Sequence, residues 1–164
     1  MPPRHEPPGY DCPFCRIQRG DYDDLNTQDD VVAVTDLAFA RVAPVWWPGN
    51  PGGLLVIPRD HHENLYDLPQ DVGHAVWDLT QRVAVAVRET YDCAGVSTRQ
   101  HNEPAGYQDV WHLHVHVFPR HEGDDLYLRY PDGAFVPPED RVPYAQRLRG
   151  YLGLPTEFTM TSRH

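Results

Sequence analysis

The sequence predicts an α+β domain, in which a mainly antiparallel sheet is covered by one long helix and followed by a short C-terminal helix. Three observations carry this prediction. Trp111–Pro119 alternates polar and apolar residues, Leu54–Pro58 is a short apolar run, and Leu68–Tyr91 repeats apolar residues at helical spacing. With 164 residues, the chain is long enough for one domain with a full core and short for two.

The first part of the chain predicts strands separated by turns. Residues 1–11 are rich in proline and polar residues, so we expect a flexible N-terminal tail. Val31–Val34 is mostly β-branched and predicts a strand, and Ala40–Pro44 predicts a possible second one. Val45–Gly53 contains proline, glycine and asparagine and predicts a loop. The apolar run Leu54–Pro58 then predicts a central strand that is covered on both faces.

The predicted long helix begins near Leu68, with Pro69 in its first turn and Asp71 at its positive end. Its apolar residues recur at steps of three and four along the chain, namely Val72, Val76, Leu79, Val83 and Val87. Such a stripe covers one face of a sheet.

The second part of the chain predicts a hairpin. Gly95–His101 reads as a strand, and the polar loop Asn102–Asp109 delivers the chain into the histidine strand. After Asp125 the pattern becomes irregular, and Pro143–Leu152 predicts a short helix. The expected organisation has three parts, a tail at 1–11, a domain at 12–125 and a C-terminal arm with a short helix at 126–164.

Charge and hydropathy exclude several classes of partner. The net charge of −10 argues against binding a nucleic acid duplex, because such binding depends on clustered Lys and Arg. No stretch approaches the roughly 20 apolar residues of a membrane span, and the N-terminus lacks the apolar core of a signal peptide. We therefore expect a cytoplasmic protein with reduced thiols.

Three histidines occupy alternate positions of the predicted strand. His112, His114 and His116 would face away from the core, and the outer two would lie roughly 13 Å apart along a straight strand. That separation is too large for one metal ion, so the row does not predict a three-histidine metal site. Each histidine is free to have a different function.

Cys12 and Cys15 form a Cys-x-x-Cys motif with three interpretations. A thioredoxin-like redox pair should follow a strand, whereas a Pro/Gly-rich tail precedes this motif. A structural disulfide is disfavoured by the expected compartment. A zinc half-site needs two more ligands, and these would be histidines, because Cys93 stands alone and is most simply a small buried residue.

The chain resembles the histidine triad family. The resemblance covers roughly residues 10–125 and rests on motifs that fall in the family's order. They are Cys12-x-x-Cys15-x-Ile17, Gly53-Leu-Leu-Val-Ile-Pro-Arg-Asp-His61, the helix after Leu68, and Asn102–Arg120 with its His-x-His-x-His run.

The resemblance implies a nucleotidyl hydrolase or transferase. Such enzymes act on a nucleoside monophosphate, here expected to be AMP, joined to a leaving group, as in dinucleoside polyphosphates and nucleoside phosphoramidates. In the family the middle triad histidine attacks the α-phosphate and becomes covalently nucleotidylated, which assigns that role to His114. His116 would orient the nucleophile or meet the phosphate oxygens, and His112 completes the triad.

The resemblance extends to the zinc-containing, bacterial-type branch of the family. That branch implies a structural zinc ion held by Cys12, Cys15, His61 and His112, which supplies the two histidine ligands that the Cys-x-x-Cys motif lacks. His62 is adjacent, but the spacing of His61 from Pro58 matches the family. The resemblance also implies a homodimer.

Three further residues receive substrate-binding roles from the resemblance. Asp36 would accept hydrogen bonds from the ribose hydroxyls, although a turn carboxylate that caps nearby amides is the simpler interpretation of that residue alone. Asn102 and Gln108 would contact the phosphate and the leaving group. Uncharged donors of this kind can orient an oxyanion in an acidic protein.

Two departures from the family pattern keep other functions open. Gly53 stands where the family often has a histidine that supports the triad, which keeps a nucleotide-binding regulatory module with little turnover as the alternative. The insertion around Trp46 and Trp47 could line the base pocket, contact a second subunit or pack as a loop. A cupin-like metal site that uses His114, His116 and Glu122 is disfavoured by the long helix.

Overall fold

The structure is a computed structural model that describes residues 3–156 and 159–160. Its strands are β1 (Val31–Val34), β2 (Ala38–Val42), β3 (Val45–Trp46), β4 (Leu54–Pro58), β5 (Gly95–Gln100), β6 (Val115–Arg120) and β7 (Ala134–Phe135). Its α-helices are α1 (Pro13–Gln18), α2 (Gln70–Thr90) and α3 (Pro138–Tyr151), and single 3-10 turns cover Gln28–Asp30, Pro104–Gly106 and Tyr130–Asp132. The predicted α+β class is confirmed.

A five-stranded antiparallel sheet in the order β1-β2-β4-β6-β5 forms the centre, and β3 pairs with β7 in a separate two-stranded sheet. Helix α2 packs against β2, β4 and β6, while α3 packs against α2 and β1. Short helix α1 lies on the opposite face. Strand β4 is therefore central and buried on both faces, as its apolar sequence predicts.

Alternation along β4 divides the core into two layers. Leu54 and Val56 pack with the apolar stripe of α2, whereas Leu55 and Ile57 pack with Phe14 of α1. On the neighbouring strand, His116 pairs directly with Leu55. The side chain of His116 therefore lies on the α1 face of the sheet, because residues paired across an antiparallel sheet share a face.

The predicted row of three outward histidines is wrong. Strand β6 begins only at Val115, so His112 and His114 precede it, and both are buried. The chain turns instead at this point, because the His112 N–H donates to Val110 and the Leu113 N–H donates to the carbonyl of His62. Residues before Val115 therefore do not continue the strand ladder.

The N-terminal and C-terminal segments also pack against the domain. In the tail, the His5 N–H donates to Glu63, and the Tyr10 hydroxyl accepts a hydrogen bond from Trp111. Helix α3 is longer than the predicted helix, and it buries Ala145 in the core under α2. Across the described residues, no helix has the length and apolar character needed to cross a membrane.

Candidate active site and metal centre

Four predicted metal ligands converge beside the sheet. Cys12 and Cys15 lie at the start of α1, His61 follows β4, and His112 lies in the turn before β6, yet their ligand atoms all lie within 4.8 Å of one another. The Cys12 Sγ to His112 Nδ1 distance is 3.3 Å, and Cys15 Sγ lies 3.5 Å from His61 Nδ1 and 3.7 Å from His112 Nδ1. The fold therefore brings together a Cys₂His₂ set from three separate segments.

The spacing of these ligand atoms fits a tetrahedral zinc ion. With Zn–S near 2.3 Å and Zn–N near 2.0 Å, tetrahedral angles place sulfur and nitrogen about 3.5 Å apart. The other ring nitrogens have oxygen partners, since His112 Nε2 lies 2.9 Å from the Pro58 carbonyl and His61 Nε2 lies 2.5 Å from Glu6 Oε2. Such partners direct the Nδ1 lone pairs towards the centre of the cluster.

Burial sets the protonation of the ligands. It raises the pKa of the Cys12 thiol to about 12 and lowers the pKa of His112 to about 3. His112 is therefore neutral at pH 7 and can bind a metal ion directly, whereas the Cys12 thiol releases its proton to solvent when a metal ion binds.

His114 lies next to this cluster, but its ring is held differently. It is buried, and its Nδ1–H donates to the His112 carbonyl at 2.8 Å. Among the described residues nothing forms a hydrogen bond with its Nε2. Burial lowers the pKa of His114, while the His112 carbonyl opposes that shift. A neutral imidazole with a fixed tautomer and a free Nε2 can act as a nucleophile near pH 7.

His116 lies beside His114, with 5.0 Å between the ring centroids. Its ring stacks on the ring of Phe118, with 5.3 Å between the centroids. The ring of His101, which directly follows β5, lies 5.6 Å from the His116 ring. Burial and the nearby rings of His114 and His101 lower its pKa well below the ordinary value. Its Nε2 is buried without a hydrogen-bond partner in the part of the chain that the structure describes. A polar ligand atom can therefore satisfy it.

Gly53 leaves room near this histidine. A Cβ atom added to Gly53 would lie 3.6 Å from the Val117 carbonyl and 3.7 Å from Phe118, both ordinary contacts. Sterics therefore do not explain why glycine replaces the histidine that the family often has here.

His114 and His116 share a cavity of about 410 Å³, within the range of small-molecule sites. Its walls are largely apolar and come from α1, β4 and the C-terminal arm, with Phe14, Leu55, Trp47 and Tyr130 among them. The cavity thus joins an apolar chamber to two neutral histidines, which can bind a flat aromatic group beside a reacting phosphorus.

Trp47 and Tyr130 form one wall of the cavity. Their rings stack at 5.1 Å with an interplanar angle of 18°, and the Trp47 indole N–H donates to the Tyr130 carbonyl at 2.6 Å. Strand β7 pairs with β3 next to this contact. By contrast, Trp46 packs on Tyr144 of α3 and donates to the Ala43 carbonyl. Trp47 therefore lines the cavity and Trp46 packs against α3, while a role of either residue in binding a base stays a prediction.

The three predicted substrate-binding residues lie outside the lining of this cavity. Asp36 is exposed in the turn between β1 and β2. An extended stretch of backbone about 20 Å long leads from it to Ala43, which lines the cavity. Asn102 accepts a hydrogen bond from the Leu65 N–H and exchanges amide hydrogen bonds with Gln100. Their roles in substrate binding stay predictions from the resemblance.

Gln108 is buried, and its side chain organises the loop before the histidines. Its amide donates to the carbonyls of Glu63 and Val110, and its carbonyl accepts the Glu103 N–H. The next residue, Asp109, does line the cavity. Sequence reasoning missed Asp109 and Tyr130, and the only available signal for Asp109 was its position three residues before His112.

A central antiparallel sheet that presents two histidines to a cavity and a third to a Cys₂His₂ cluster defines a histidine-triad class of α+β domain. A family model for the HIT domain matches residues 25–123. The chain belongs to the HIT domain family.

Solved structures support this assignment. A HIT-like protein from Bartonella henselae, involved in cell-cycle regulation, is 27% identical with a TM-score of 0.71, over 85% of this chain and 95% of that chain. A zinc-bound histidine triad family protein from Mycobacterium smegmatis is 28% identical with a TM-score of 0.69, over 87% and 94% of the two chains.

A more distant similarity concerns the fold alone. The diadenosine triphosphate hydrolase of Plasmodium falciparum is 17% identical, with a TM-score of 0.66 over 77% of this chain and 78% of that chain. No curated protein matches this chain.

Proposed function

We propose that the protein is a nucleotidyl hydrolase or transferase, which cleaves a nucleoside monophosphate such as AMP from a dinucleoside polyphosphate or a nucleoside phosphoramidate. The observation that carries the proposal is the state of His114 at the cavity. Its Nδ1–H is held by a backbone carbonyl, its Nε2 is free of hydrogen bonds from the described residues, and burial keeps the ring neutral. Family membership supplies the reaction class.

In the proposed reaction, the Nε2 lone pair of His114 forms a bond to the α-phosphorus while the bond from phosphorus to the leaving group breaks. The leaving group takes up a proton as it departs. Water or another acceptor then attacks the phosphorus, the bond to Nε2 breaks, and the nucleotide leaves with the acceptor's oxygen. Two displacements replace one difficult step, and the carbonyl of His112 stabilises the positive charge that develops on the ring.

His116 is proposed to meet an oxygen of the phosphoryl group. Its buried Nε2 lacks a partner in the described part of the chain, and a buried polar atom of this kind is costly unless a ligand satisfies it. The wall formed by Trp47 and Tyr130 offers aromatic surface for the base. The ribose-binding role of Asp36 stays a prediction from the resemblance, since that residue is not among those that line the cavity.

We further propose that Cys12, Cys15, His61 and His112 hold a structural zinc ion. The ligand spacing, the neutral His112 ring and the zinc-bound relative support this proposal. When bound, the ion would link the start of α1 to the segment after β4 and to the turn before β6, without offering an open position. Reaction steps are therefore assigned to His114 and His116 alone.

A homodimer stays a prediction from the resemblance to the family. Strand β5 lies at an edge of the sheet, and Trp77 and Val85 of α2 are exposed large apolar side chains. These surfaces are compatible with a second copy. Light scattering on the purified chain measures the assembly directly, and a monomer at all concentrations would contradict the prediction.

The decisive experiment measures AMP release from diadenosine tetraphosphate and from an adenosine phosphoramidate, with wild type beside His114→Ala. We expect turnover by wild type and its loss in the variant, which should keep its zinc content and melting temperature. Trapping labelled nucleotide on acid-quenched wild type tests the covalent step. Equal turnover in both proteins would refute the mechanism, and nucleotide binding without turnover would favour the regulatory binding module.

A further inference from the structure

Asp109 is the one acidic residue among those that line the cavity of His114 and His116. Among the other residues that line it none is an arginine, and the whole sequence contains no lysine. A site that receives the charge of a phosphate chain would be expected to offer cations.

No ion pair neutralises Asp109 among the described residues. Arg99 pairs with His116 across β5 and β6, and its positive charge acts on His116 and on Tyr130. Its guanidinium carbon instead lies 4.8 Å from the ring centroid of Tyr130 and 5.1 Å from that of Tyr127. Arg99 therefore packs on the C-terminal arm by cation–π contacts and is not among the residues that line the cavity. Its Nη1 is buried without a hydrogen-bond partner among the described residues.

Hydrogen bonds hold the backbone of the loop before His112 on both sides of Asp109. On one side, the Gln108 amide is buried and bonded to Glu63 and to Glu103. On the other, the Val110 carbonyl accepts from both Gln108 and the His112 N–H. The backbone on both sides of Asp109 is therefore held in place, and this puts the exposed Asp109 side chain in the lining of the cavity.

A carboxylate in the lining of this cavity, beside His114, discriminates between leaving groups by charge. It repels a departing nucleotide, which brings further negative phosphates, and it attracts a leaving group that carries an ammonium group. We propose that Asp109 is a specificity-determining residue, which selects nucleoside phosphoramidates whose amine leaving group bears an additional positive charge. This inference rests on the proposed nucleotidyl transfer at His114.

The reaction balances with water as the only co-reactant. His114 Nε2 forms a bond to the α-phosphorus while the bond from phosphorus to the amine nitrogen breaks. Water then displaces Nε2, so its oxygen joins the phosphorus and both of its protons reach the amine nitrogen over the cycle. The products are the nucleoside monophosphate and a protonated amine, and the distal ammonium of the leaving group remains near Asp109.

The test uses three adenosine 5′-phosphoramidates with the same scissile bond and similar length. Their amines are 1,3-diaminopropane, 3-aminopropanol and β-alanine, so the distal group is positive, neutral or negative. The kcat/KM ratio between the positive and the negative substrate is measured for wild type, Asp109→Asn and Asp78→Asn, without added magnesium. Asp78 is an exposed residue of α2, and its substitution changes net charge equally without touching the cavity.

We expect wild type and Asp78→Asn to share one ratio in favour of the ammonium substrate, and Asp109→Asn to lower it about fivefold, which equals about 1 kcal/mol. Intrinsic reactivity cancels, because each substrate is compared with itself across variants. Diadenosine tetraphosphate should gain in Asp109→Asn relative to the neutral phosphoramidate. An unchanged ratio in Asp109→Asn overturns the inference while the turnover itself upholds the proposed function.

If wild type cleaves none of the substrates, the proposed function fails and the inference is judged by binding. Calorimetric titration of the three uncleaved phosphoramidates then measures the same ranking. A preference for the ammonium ligand that disappears in Asp109→Asn supports the charge selection, and equal affinities in wild type refute it.

Discussion

Removing one cysteine ligand should abolish the response of the protein to zinc. The perturbation is Cys15→Ser, because the Cys15 side chain is only partly buried and its Sγ lies 3.5 Å from His61 Nδ1 and 3.7 Å from His112 Nδ1. Serine occupies similar space but lacks the thiolate. The matched control is Cys93→Ser, which removes the third free cysteine far from the cluster.

The expected size follows from the linkage between binding and folding. Free zinc at a thousandfold excess over its Kd stabilises a folded site by about 4 kcal/mol. For a chain of this length, each kcal/mol raises Tm by about 2–4 °C, so zinc should raise Tm by about 8–16 °C. The four ligands join segments that are distant in sequence, and the unfolded chain lacks the preformed site.

The assay compares thermal unfolding of metal-free protein with and without zinc, together with metal content by mass spectrometry. Wild type and Cys93→Ser should bind one zinc per chain and show the full rise in Tm. Cys15→Ser should show neither. The assignment fails if wild type stays metal-free after reconstitution, or if Cys15→Ser keeps the whole shift in Tm.

Two further substitutions test how the fold around the site is held together. Asp30 is buried and bonded to two buried arginines, to Arg141 at 2.8 Å and to Arg41 at 3.1 Å, so Asp30→Asn should lower the free energy of unfolding in urea by about 3–5 kcal/mol, and a loss below about 1 kcal/mol would contradict this. Hydrogen bonding from Arg120 holds the pKa of Asp124 well below its usual range. Because the folded pKa is lowered, this stabilisation is complete above the unfolded pKa of about 3.9 and is lost as pH falls below it. Urea midpoints from pH 6 to pH 3 should therefore fall more for wild type than for Asp124→Asn, and parallel curves would refute the assignment.

The sequence predicts the sheet well, because its strands follow simple patterns. The apolar run of β4 requires cover on both faces, and the stripe on α2 supplies that cover on one of them. The four metal ligands were identified as a set from the resemblance, and the fold brings them together. The residues alone gave only the Cys-x-x-Cys half-site, and the resemblance supplied the two histidines, of which His112 lies 97 positions after Cys15.

The histidine segment shows where periodicity is insufficient. Polar and apolar residues alternate from His112 onwards, but a strand also needs a neighbour to pair with, and Leu113 donates its N–H to the loop carbonyl of His62. Asp109 was missed for a related reason. An exposed acidic residue in a loop has no pattern of its own, and only the hydrogen bonds of Gln108 place it at the cavity.

His112 is itself the link between the metal cluster and the nucleophile His114. Its Nδ1 faces the cysteines, its Nε2 meets the Pro58 carbonyl, and its own carbonyl fixes the Nδ1–H of His114. Because the last contact uses the backbone, a bound metal can stabilise the tautomer of His114 without touching the substrate. Loss of zinc should then lower the fraction of molecules in which His114 is correctly oriented. The apolar walls of the cavity should change little. The kcat of metal-free protein should therefore fall while the affinity for AMP changes little, whereas a purely structural collapse would impair both.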